Sequence, residues 1–231
     1  CPDDSNPLQA DSDAGIQGMR AYWKFEEGTG LVAYDIIDNS DGPITSADWA
    51  PPEGWCITPG NPVDCIDKPP VNGALWFKGA QRSDITFLDN SGNMAITGKN
   101  ISVEVWVYGN SAIDNYSPQW STIAIKSSYA CERDPVTGEV IQCHWYDDGY
   151  GLYYQPGEDG GDGHMAFFIN DYQVNKAYSA AFTKDEWHHV VGTYDGVDIK
   201  IYVDGVEGTS EPYTEDIVDA QFPEYFSISG T

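Results

Sequence analysis

Four carboxylate or amide side chains lie within seven positions of the stretch "DIIDNSDG". They are Asp35, Asp38, Asn39 and Asp41. Carboxylate and amide oxygens are the ligands that Ca²⁺ prefers, and one short loop can hold several of them around a single ion. The spacing differs from that of an EF-hand. Two interpretations stay open: a Ca²⁺ site, or a turn in which Asp and Asn side chains bond to nearby backbone groups.

A second group of residues combines aromatic rings with carboxylates in or beside expected loops. Its members are Trp120, Trp145, Tyr146, Asp147, Asp148 and Tyr150. Aromatic rings stack on the apolar faces of sugars, and carboxylates accept hydrogen bonds from sugar hydroxyls. This composition predicts contact with a glycan. The alternative is that the rings pack the long loops, which need apolar anchors of their own.

Catalytic groups are sparse in the sequence. Glycosidases need two carboxylates close together, whereas Glu104 is the single acid of its predicted strand, with Ser102 and Trp106 at the alternate positions. His188 and His189 are neighbours in a predicted strand, so their side chains point to opposite faces and cannot chelate one ion; we interpret both as structural. Neither Gly-x-Ser-x-Gly nor His-Glu-x-x-His occurs. We therefore predict that the chain is not an enzyme.

Five cysteines are present, and none forms the Cys-x-x-Cys pair of a zinc or redox site. Cys56 and Cys65 bracket a loop rich in Pro and Gly, and Cys131 and Cys143 bracket another long loop. Their proximity in the sequence predicts two local disulfides, which form in an oxidising compartment outside the cell. Cys1 is left over, with three interpretations: the lipid-bearing first residue of a mature lipoprotein, a partner for another chain, or the point at which the chain was cut.

The charge balance argues against some partners. Lys and Arg number 11 against 37 Asp and Glu, a formal net charge of −26, which repels nucleic acid and anionic membrane surfaces. Cations are the natural partners of such a surface, which is also typical of proteins in a salty or extracellular medium. No apolar run is long enough to span a membrane. Composition therefore favours a secreted or surface-exposed protein with no nucleic-acid partner and no transmembrane segment.

The elements that must position these groups are short strands. Apolar residues alternate with polar ones in "ISVEVWVYG" and in "VDIKIYVD", the pattern of a strand with one buried face. The second run lies between two Asp-Gly pairs that suit tight turns, which predicts a three-stranded meander. Roughly ten or more strands without a helical period predict an all-β antiparallel sandwich or barrel. Residues 1–20 are predicted to form an exposed acidic arm, and residues 21–231 one domain.

Several phrases of the sequence resemble one family. In chain order they are "YWKFEEGTGLVAYDIIDNSDG", "GALWFKG", "ISVEVWVYG", "YGLYYQ", "WHHVVGTYDG" and "IKIYVDGV". They resemble, in the same order, phrases of laminin G-like domains of the concanavalin A-like jelly-roll superfamily. The resemblance runs from about Tyr22 to Gly230. It implies a sandwich of two curved antiparallel sheets that serves binding or adhesion, often with a structural Ca²⁺ near one rim. The turn that begins at Asp35 occupies the place of the family's Asp/Asn/Gly-rich turn.

The chain also departs from that family in two ways. An inserted loop, roughly residues 129–148, carries the second cysteine pair, and the family's late strand with a Gly-x-Ile-Asp-x-Val-like phrase is missing after Gly230. A jelly roll without its final strand leaves unpaired backbone groups and an apolar groove that something should fill. Either the sequence stops early, or a strand from an identical neighbouring chain fills the groove.

We therefore expect a secreted or surface-exposed binding or adhesion module without catalytic activity. Its expected ligand is a glycan or an extracellular protein, and Ca²⁺ is expected to stabilise its fold. The first alternative is a structural subunit of an extracellular filament or surface array, assembled by strand addition between identical chains. The second is a polysaccharide-active enzyme, which requires two carboxylates roughly 5 to 10 Å apart in a cleft.

Overall fold

The computed structural model describes residues 18–45, 47–50, 55–56, 65–66, 73–77, 84–88, 92–110, 121–157, 162–220 and 225–229. These segments contain eighteen β-strands and no helix. A helix of the length and hydropathy that would cross a membrane is accordingly not found among the described residues. The acidic arm predicted for residues 1–20 lies outside the described residues except for its last three positions.

The strands are short, as the alternating runs of the sequence predict. In chain order they are β1 (Val32–Ala33), β2 (Gly42–Thr45), β3 (Ala47–Ala50), β4 (Trp55–Cys56), β5 (Cys65–Ile66), β6 (Ala74–Phe77), β7 (Asp84–Leu88), β8 (Ile101–Tyr108), β9 (Ser121–Lys126), β10 (Tyr129–Arg133), β11 (Val140–Trp145), β12 (Tyr150–Gln155), β13 (Gly163–Ile169), β14 (Lys176–Phe182), β15 (Trp187–Tyr194), β16 (Asp198–Val203), β17 (Val206–Pro212) and β18 (Tyr225–Ser229). Every pairing between them is antiparallel.

Two sheets form the body of the molecule. The larger has eight strands in the order β1-β2-β7-β18-β9-β12-β13-β14, and the smaller has four in the order β17-β16-β15-β8. Three further ribbons have two strands each: β3 with β6, β4 with β5, and β10 with β11. Strands that are distant in the sequence, such as β7, β18 and β9, are neighbours in the larger sheet, as the crossovers of a jelly roll require. The predicted all-β antiparallel jelly roll is confirmed.

The core lies between the two sheets because alternate residues of each strand face inward. On β15 every second residue from His188 to Tyr194 is buried. Buried side chains of both sheets form one cluster, which includes Ile85, Phe87, Leu152, Phe167, Val190, Ile199 and Ile201. The sheets approach closely at Gly192 of β15, where an added Cβ would lie 2.2 Å from Cγ of Phe167 on β13. Glycine is needed there because a phenyl ring of one sheet rests on the backbone of the other.

Both predicted Asp-Gly turns are present in the smaller sheet. Asp204 and Gly205 have positive φ angles of 51° and 78° and join β16 to β17. At the other turn, the Asp195 carboxylate accepts hydrogen bonds from the backbone N–H groups of Asp198 and Val197, each at 2.9 Å. These two bonds hold the pKa of Asp195 below its usual value. The predicted meander of β15, β16 and β17 is confirmed.

The strand β8 lies at one edge of the smaller sheet. Within the described part of the chain it pairs with β15 alone, and Val105 lies opposite Val190. The residues of β8 that point away from the core are exposed: Ser102, Glu104 and Trp106. An edge strand offers one row of backbone groups to a ligand or to another strand. β8 therefore presents a free edge among the described strands and an exposed face, and strand addition between chains stays a prediction.

Candidate functional site

A cleft with a volume of about 1220 Å³ runs along β8. Its walls come from β8, from β6 and from residues 18–25 and 92–97. The inner wall is apolar, since the core-facing valines of β8 line it together with Met94. The outward side chains of β8 line it as well and supply some of its polar groups. A concave, mostly apolar lining with a few polar side chains is typical of a ligand-binding site.

Two pairs of rings cross from β8 to β15 in this cleft. Trp106 lies opposite His189 with ring centroids 5.1 Å apart, and Tyr108 lies opposite Trp187 with centroids 5.5 Å apart. Because successive strand residues rise by about 3.4 Å, the two pairs are roughly 7 Å apart along the sheet. We call these four residues the ring platform. It presents aromatic surface on a continuous strand pair, with Trp106 42% exposed.

A carboxylate lies close to the imidazole of the ring platform. Oε2 of Glu104 is 3.6 Å from Nε2 of His189, across the β8–β15 pair. Glu104 is two positions from Trp106 and shares its outward face. A carboxylate accepts hydrogen bonds from hydroxyl groups, and an imidazole can donate or take up a proton. Rings for stacking, an acceptor and a proton-transfer group are therefore close together on one sheet face.

The neighbouring His188 has a structural role. It is buried, with Nδ1 2.6 Å from Oδ2 of Asp204 and Nε2 3.0 Å from Oγ1 of Thr183. Asp204 also accepts the backbone N–H of His189 at 2.9 Å. Burial alone would raise the pKa of Asp204, but the hydrogen bonds from His189 and His188 outweigh it and lower that pKa. The prediction that the two histidines face opposite ways is confirmed, and His189 is the one that lines the cleft.

The acidic turn that begins at Asp35 is organised around backbone hydrogen bonds. Oδ1 of the buried Asp35 accepts the N–H groups of Tyr22 at 2.8 Å and Ile37 at 3.1 Å. Oδ2 accepts the N–H groups of Asp38 and Ser40, each at 3.3 Å. Burial and a side-chain hydrogen bond with Asp38 raise the pKa of Asp35, although the backbone donors act against them. Both carboxylate oxygens are thus engaged within the turn.

The other residues predicted to bind calcium belong to the same turn. Asp41 accepts the backbone N–H of Asp35 at 2.9 Å, and Asp38 accepts the side-chain amide of Asn93. Asn39 has a positive φ of 63°, which suits a turn residue. Across the segments that the structure describes, no group of three or more His, Cys, Asp or Glu side chains is arranged to hold a metal ion. The hydrogen bonds of these residues are those of an Asx turn, and the calcium site stays a prediction.

The residues predicted to contact a glycan are dispersed. Tyr146 and Asp147 are exposed and are not among the residues that line the cleft. Asp148 is buried, and its Oδ1 accepts the backbone N–H of Ser128 at 2.7 Å. Asp148 therefore stabilises the connection between β9 and β10, and its buried carboxylate is less accessible to a ligand than an exposed one would be.

Tyr150 is the member of that group that reaches the cleft. It is buried at the inner wall, where its hydroxyl donates to the carbonyl oxygen of Met94 at 2.9 Å. The backbone of Trp145 ends β11, but its side chain lies outside what the structure describes, and so does the whole of Trp120. Glycan contact at this group stays a prediction. Among the described residues, accessible rings lie together beside β8.

Strand pairing places each predicted cysteine pair in direct cross-strand register. Cys56 of β4 lies opposite Cys65 of β5, and Cys131 of β10 lies opposite Cys143 of β11. Opposed residues in antiparallel strands have Cα atoms about 4.5 to 5.5 Å apart, a separation that a disulfide can bridge. Cys1 lies outside the described residues. Both disulfides stay predictions, with a register that permits them.

Sequence reasoning missed the cleft as a site. Glu104 has no second acid in its own strand, and the two adjacent histidines are interpreted as structural. The signal that joins Glu104, Trp106 and His189 is the pairing of "ISVEVWVYG" with "WHHVVGTY", which brings them together across two strands. The spacing of residues within either phrase does not reveal this grouping, because its members belong to two strands that are far apart in the sequence.

A family model of laminin G-like domains, described as the concanavalin A-like lectin/glucanases superfamily, matches residues 80–228, more than half of the chain. The matched segment begins before β7 and ends within β18, so it includes β8, β15 and both Asp-Gly turns. The predicted resemblance is confirmed. A search of the curated proteins found no significant match to this sequence.

Solved structures similar to the chain include three from carbohydrate-active proteins. Domain 4 of AbnA, a GH43 extracellular arabinanase from Geobacillus stearothermophilus in complex with arabinotriose, is 15% identical with a TM-score of 0.47, over 90% of this chain and 82% of that one. An alginate lyase from Alteromonas sp. 272 is 13% identical with a TM-score of 0.32, over 64% and 58%. A carbohydrate esterase from the Shiga toxin-encoding bacteriophage phi24B is 12% identical with a TM-score of 0.34, over 79% and 80%. Each likeness concerns the fold and assigns no activity to this chain.

The prediction that the chain is not an enzyme is wrong. The similar structures come from an arabinanase, an alginate lyase and a carbohydrate esterase. The description of the matching family names glucanases beside lectins, so membership does not exclude an enzyme. The prediction depended on finding two carboxylates on one face of a single strand, whereas ionisable side chains can also approach each other from neighbouring strands, as those of Glu104 and His189 do here.

Proposed function

This chain belongs to the concanavalin A-like lectin/glucanases superfamily, and we propose that it recognises a polysaccharide in the cleft beside β8. One observation carries the proposal: the ring platform and the Glu104–His189 pair share one outward face along a cleft of about 1220 Å³. Sugar rings present apolar faces to aromatic side chains and hydroxyl groups to carboxylates. The description of the superfamily names lectins and glucanases, which supports a carbohydrate ligand.

The ring platform is built on a rigid part of the fold. β8 and β15 are paired without interruption from Trp187 opposite Tyr108 to Tyr194 opposite Ile101. Side chains on a continuous strand ladder lose less conformational entropy on binding than side chains on a loop, so more of the contact energy appears as affinity. We infer that the polysaccharide lies along β8, with its sugar rings over Trp106 and the Tyr108–Trp187 pair.

Two aromatic residues of similar exposure allow an experiment that distinguishes this site from the loop that the sequence favours. Trp106 is 42% exposed and lines the cleft, whereas Tyr146 is 43% exposed and does not line it. Calorimetric titration with a panel of neutral and acidic oligosaccharides should be made on the wild type, on Trp106→Ala and on Tyr146→Ala. We expect Trp106→Ala to lower the affinity at least about tenfold, as truncation of a central interface tryptophan does.

The Tyr146→Ala variant is the matched control, and it should bind as the wild type does. The reverse ranking of the two variants would move the site to the loop. If no member of the panel binds the wild type, the proposal fails.

Cleavage of the bound polysaccharide is the second candidate function. It is favoured by the 3.6 Å approach of Glu104 and His189, since a positioned acid or base contributes about 10² to 10⁴-fold to such reactions. The measurement is the release of new reducing ends from each polysaccharide that binds. Glu104→Gln keeps the size of the side chain and removes its charge, so it should stop the release and preserve most of the binding. Release that survives both Glu104→Gln and His189→Asn would remove this pair from the chemistry.

The remaining predictions concern the location of the protein, the ion that stabilises it and its macromolecular partners. We place the protein outside the cell, where the two cysteine pairs can be oxidised. Structural Ca²⁺, adhesion to an extracellular protein and self-assembly by strand addition are proposals of their own. A rise in the midpoint of thermal unfolding on adding Ca²⁺, reversed by a chelator, would support the ion. Sedimentation at increasing protein concentration tests assembly.

A further inference from the structure

The cleft beside β8 reverses the charge balance of the whole chain. The sequence has 37 Asp and Glu against 11 Lys and Arg, more than three acids for every base. Among the described residues that line the cleft, the basic ones are Arg20, Lys24 and Lys184, and the acidic one is Glu104. His189 adds an imidazole to the same lining. A strongly acidic protein therefore gathers basic side chains at its candidate binding site.

Lys184 lies beside the residue that follows β8, where its Cγ is 3.7 Å from the position of a Cβ added at Gly109. Its Nζ lies 5.7 Å from the ring centroid of Tyr154, which also lines the cleft. The backbone beside it is tied to the end of β8, because the N–H of Asp185 donates to the carbonyl of Gly109 at 2.7 Å. This ammonium group is thus held near an aromatic surface and close to the strand along which we place the polysaccharide.

Lys24 and Arg20 come from the segment of residues 18–25 that lines the same cleft. Nζ of Lys24 lies 5.8 Å from the ring centroid of Tyr22, a second contact between a cation and a ring. Arg20 is exposed, and its planar guanidinium can bind a carboxylate or a sulfate through two parallel hydrogen bonds. Basic groups therefore reach the cleft from two separate parts of the chain.

We propose that the polysaccharide bound in this cleft is anionic, carrying uronic acid carboxylates or sulfate esters. The inference rests on the proposed function and names its substrate class. A net charge of −26 repels an anionic chain over most of the surface, but at physiological ionic strength this repulsion is screened within about 8 Å. At contact distance the charges that line the cleft determine which polysaccharide binds, and the basic residues among them favour an anionic chain over a neutral one.

Oligogalacturonates, and the same chains after reduction of their carboxyl groups, supply matched anionic and neutral probes. We expect the oligogalacturonate to bind at least about tenfold more tightly, because hydrogen bonds between charged groups are roughly twice as strong as neutral ones. Lys24→Gln and Lys184→Gln should each weaken its binding by about tenfold and leave binding of the reduced chains unchanged. Lys184→Arg keeps the charge and should retain affinity.

Lys200→Gln is the matched control, since Lys200 lies on β16 of the same sheet and is not among the residues that line the cleft. Thermal unfolding of every variant verifies that it is folded. Dextran sulfate and dextran form a second pair of probes and separate sulfate from carboxylate. A preference for dextran sulfate over oligogalacturonate, with the same dependence on the lysines, supports the proposal with sulfate as the recognised anion.

Two results would overturn the inference alone. Equal binding of the anionic and neutral chains, unchanged by the lysine substitutions, removes the anionic ligand and leaves glycan recognition standing. Self-association of the chain that the same substitutions abolish, with neutral chains bound but no anionic ones, assigns the basic residues to an acidic segment of a second copy. Binding of no probe at all overturns the proposed function as well.

Discussion

The two sheets of the molecule differ in what covers their outer faces. On the four-stranded sheet, the outward residues of β8 and β15 stay accessible, among them Glu104, Trp106 and His189. On the eight-stranded sheet, outward residues form a second buried cluster: Ile125, Tyr153, Ala166 and Phe168, with Tyr172 and Tyr178 packed against it. One outer face is therefore a surface, and part of the other is a small additional core.

Hydrogen bonds hold the cover over the larger sheet. The hydroxyl of Tyr153 donates to the carbonyl of Tyr172 at 3.3 Å, and the hydroxyl of Tyr178 donates to Oε1 of Gln155 at 3.0 Å. Tyr172 belongs to the turn that follows β13, so this turn folds back over its own sheet. Strand alternation thus produces outward side chains on both sheets, and a neighbouring turn determines whether they are buried or remain accessible.

The largest expected effect tests the covered face. Phe168 is 1% exposed, and Phe168→Ala should lower the free energy of unfolding by about 3 to 5 kcal/mol through lost burial and a cavity. Chemical denaturation measures it. Thr193→Ala, on the outer face of β15, is the control and should change stability by less than about 0.5 kcal/mol. A loss below about 1 kcal/mol in Phe168→Ala would show that this cluster is not a second core.

The next effect tests the open face. Trp187→Ala removes one member of the Tyr108–Trp187 pair and should lower polysaccharide affinity about tenfold, roughly 1.4 kcal/mol. Its cost in stability should be well below that of Phe168→Ala, because Trp187 is only partly buried. Calorimetric titration and denaturation of the same preparation give both quantities. Equal losses of stability in the two variants would place Trp187 in the core and contradict the comparison.

A smaller effect concerns the buried hydroxyl of the covered face. Burial, with the neighbouring Tyr178 and Tyr172, raises the pKa of Tyr153 well above its usual value. Above about pH 10 the unfolded chain loses this proton while the folded chain keeps it, so stability falls as pH rises. Tyr153→Phe should cost about 1 kcal/mol at neutral pH and flatten that alkaline decline. Exposed Tyr146→Phe is the control, and an unchanged alkaline slope in Tyr153→Phe would contradict the assignment.

The smallest expected effect lies beneath the open face, at Asp204. Its pKa is lowered in the folded state, so its contribution to stability is present above the unfolded pKa of about 4 and is lost as pH falls through the folded value. Asp204→Asn should therefore lower the unfolding midpoint near pH 5 and converge with the wild type at lower pH. The difference should be small because the Asp204 side chain is 48% exposed. If the difference between the unfolding midpoints of Asp204→Asn and the wild type stays constant as the pH is lowered from 5, this prediction is wrong.

Much of the fold follows from local patterns in the sequence. The alternation of β8 and β16, the two Asp-Gly turns and the opposite facing of His188 and His189 all depend on a few adjacent residues. Such patterns act through the steric limits of φ and ψ and the period of two of a strand, which operate wherever the residues occur. The all-β jelly roll and its family were accordingly predictable.

The candidate site was predictable only in part. The acidic turn that begins at Asp35 is conspicuous for its composition, yet both carboxylate oxygens of Asp35 accept hydrogen bonds from backbone N–H groups. Asp148 and Tyr150 have the residue types of a glycan site, but burial commits both to structural contacts. Residue type states what a side chain can do, whereas its surroundings decide whether that group is available to a ligand.

The alternating strands, the two Asp-Gly turns, the family and the strongly acidic charge of this protein can all be read from its sequence. The approach of Glu104 to His189, the basic side chains in one cleft and the covering of one outer face are visible in the folded structure alone. The two kinds of feature differ in the sequence distance over which their interactions act. Turn and strand preferences are properties of neighbouring residues, whereas a site depends on the register between strands that are far apart in the chain and on which turn folds over which sheet.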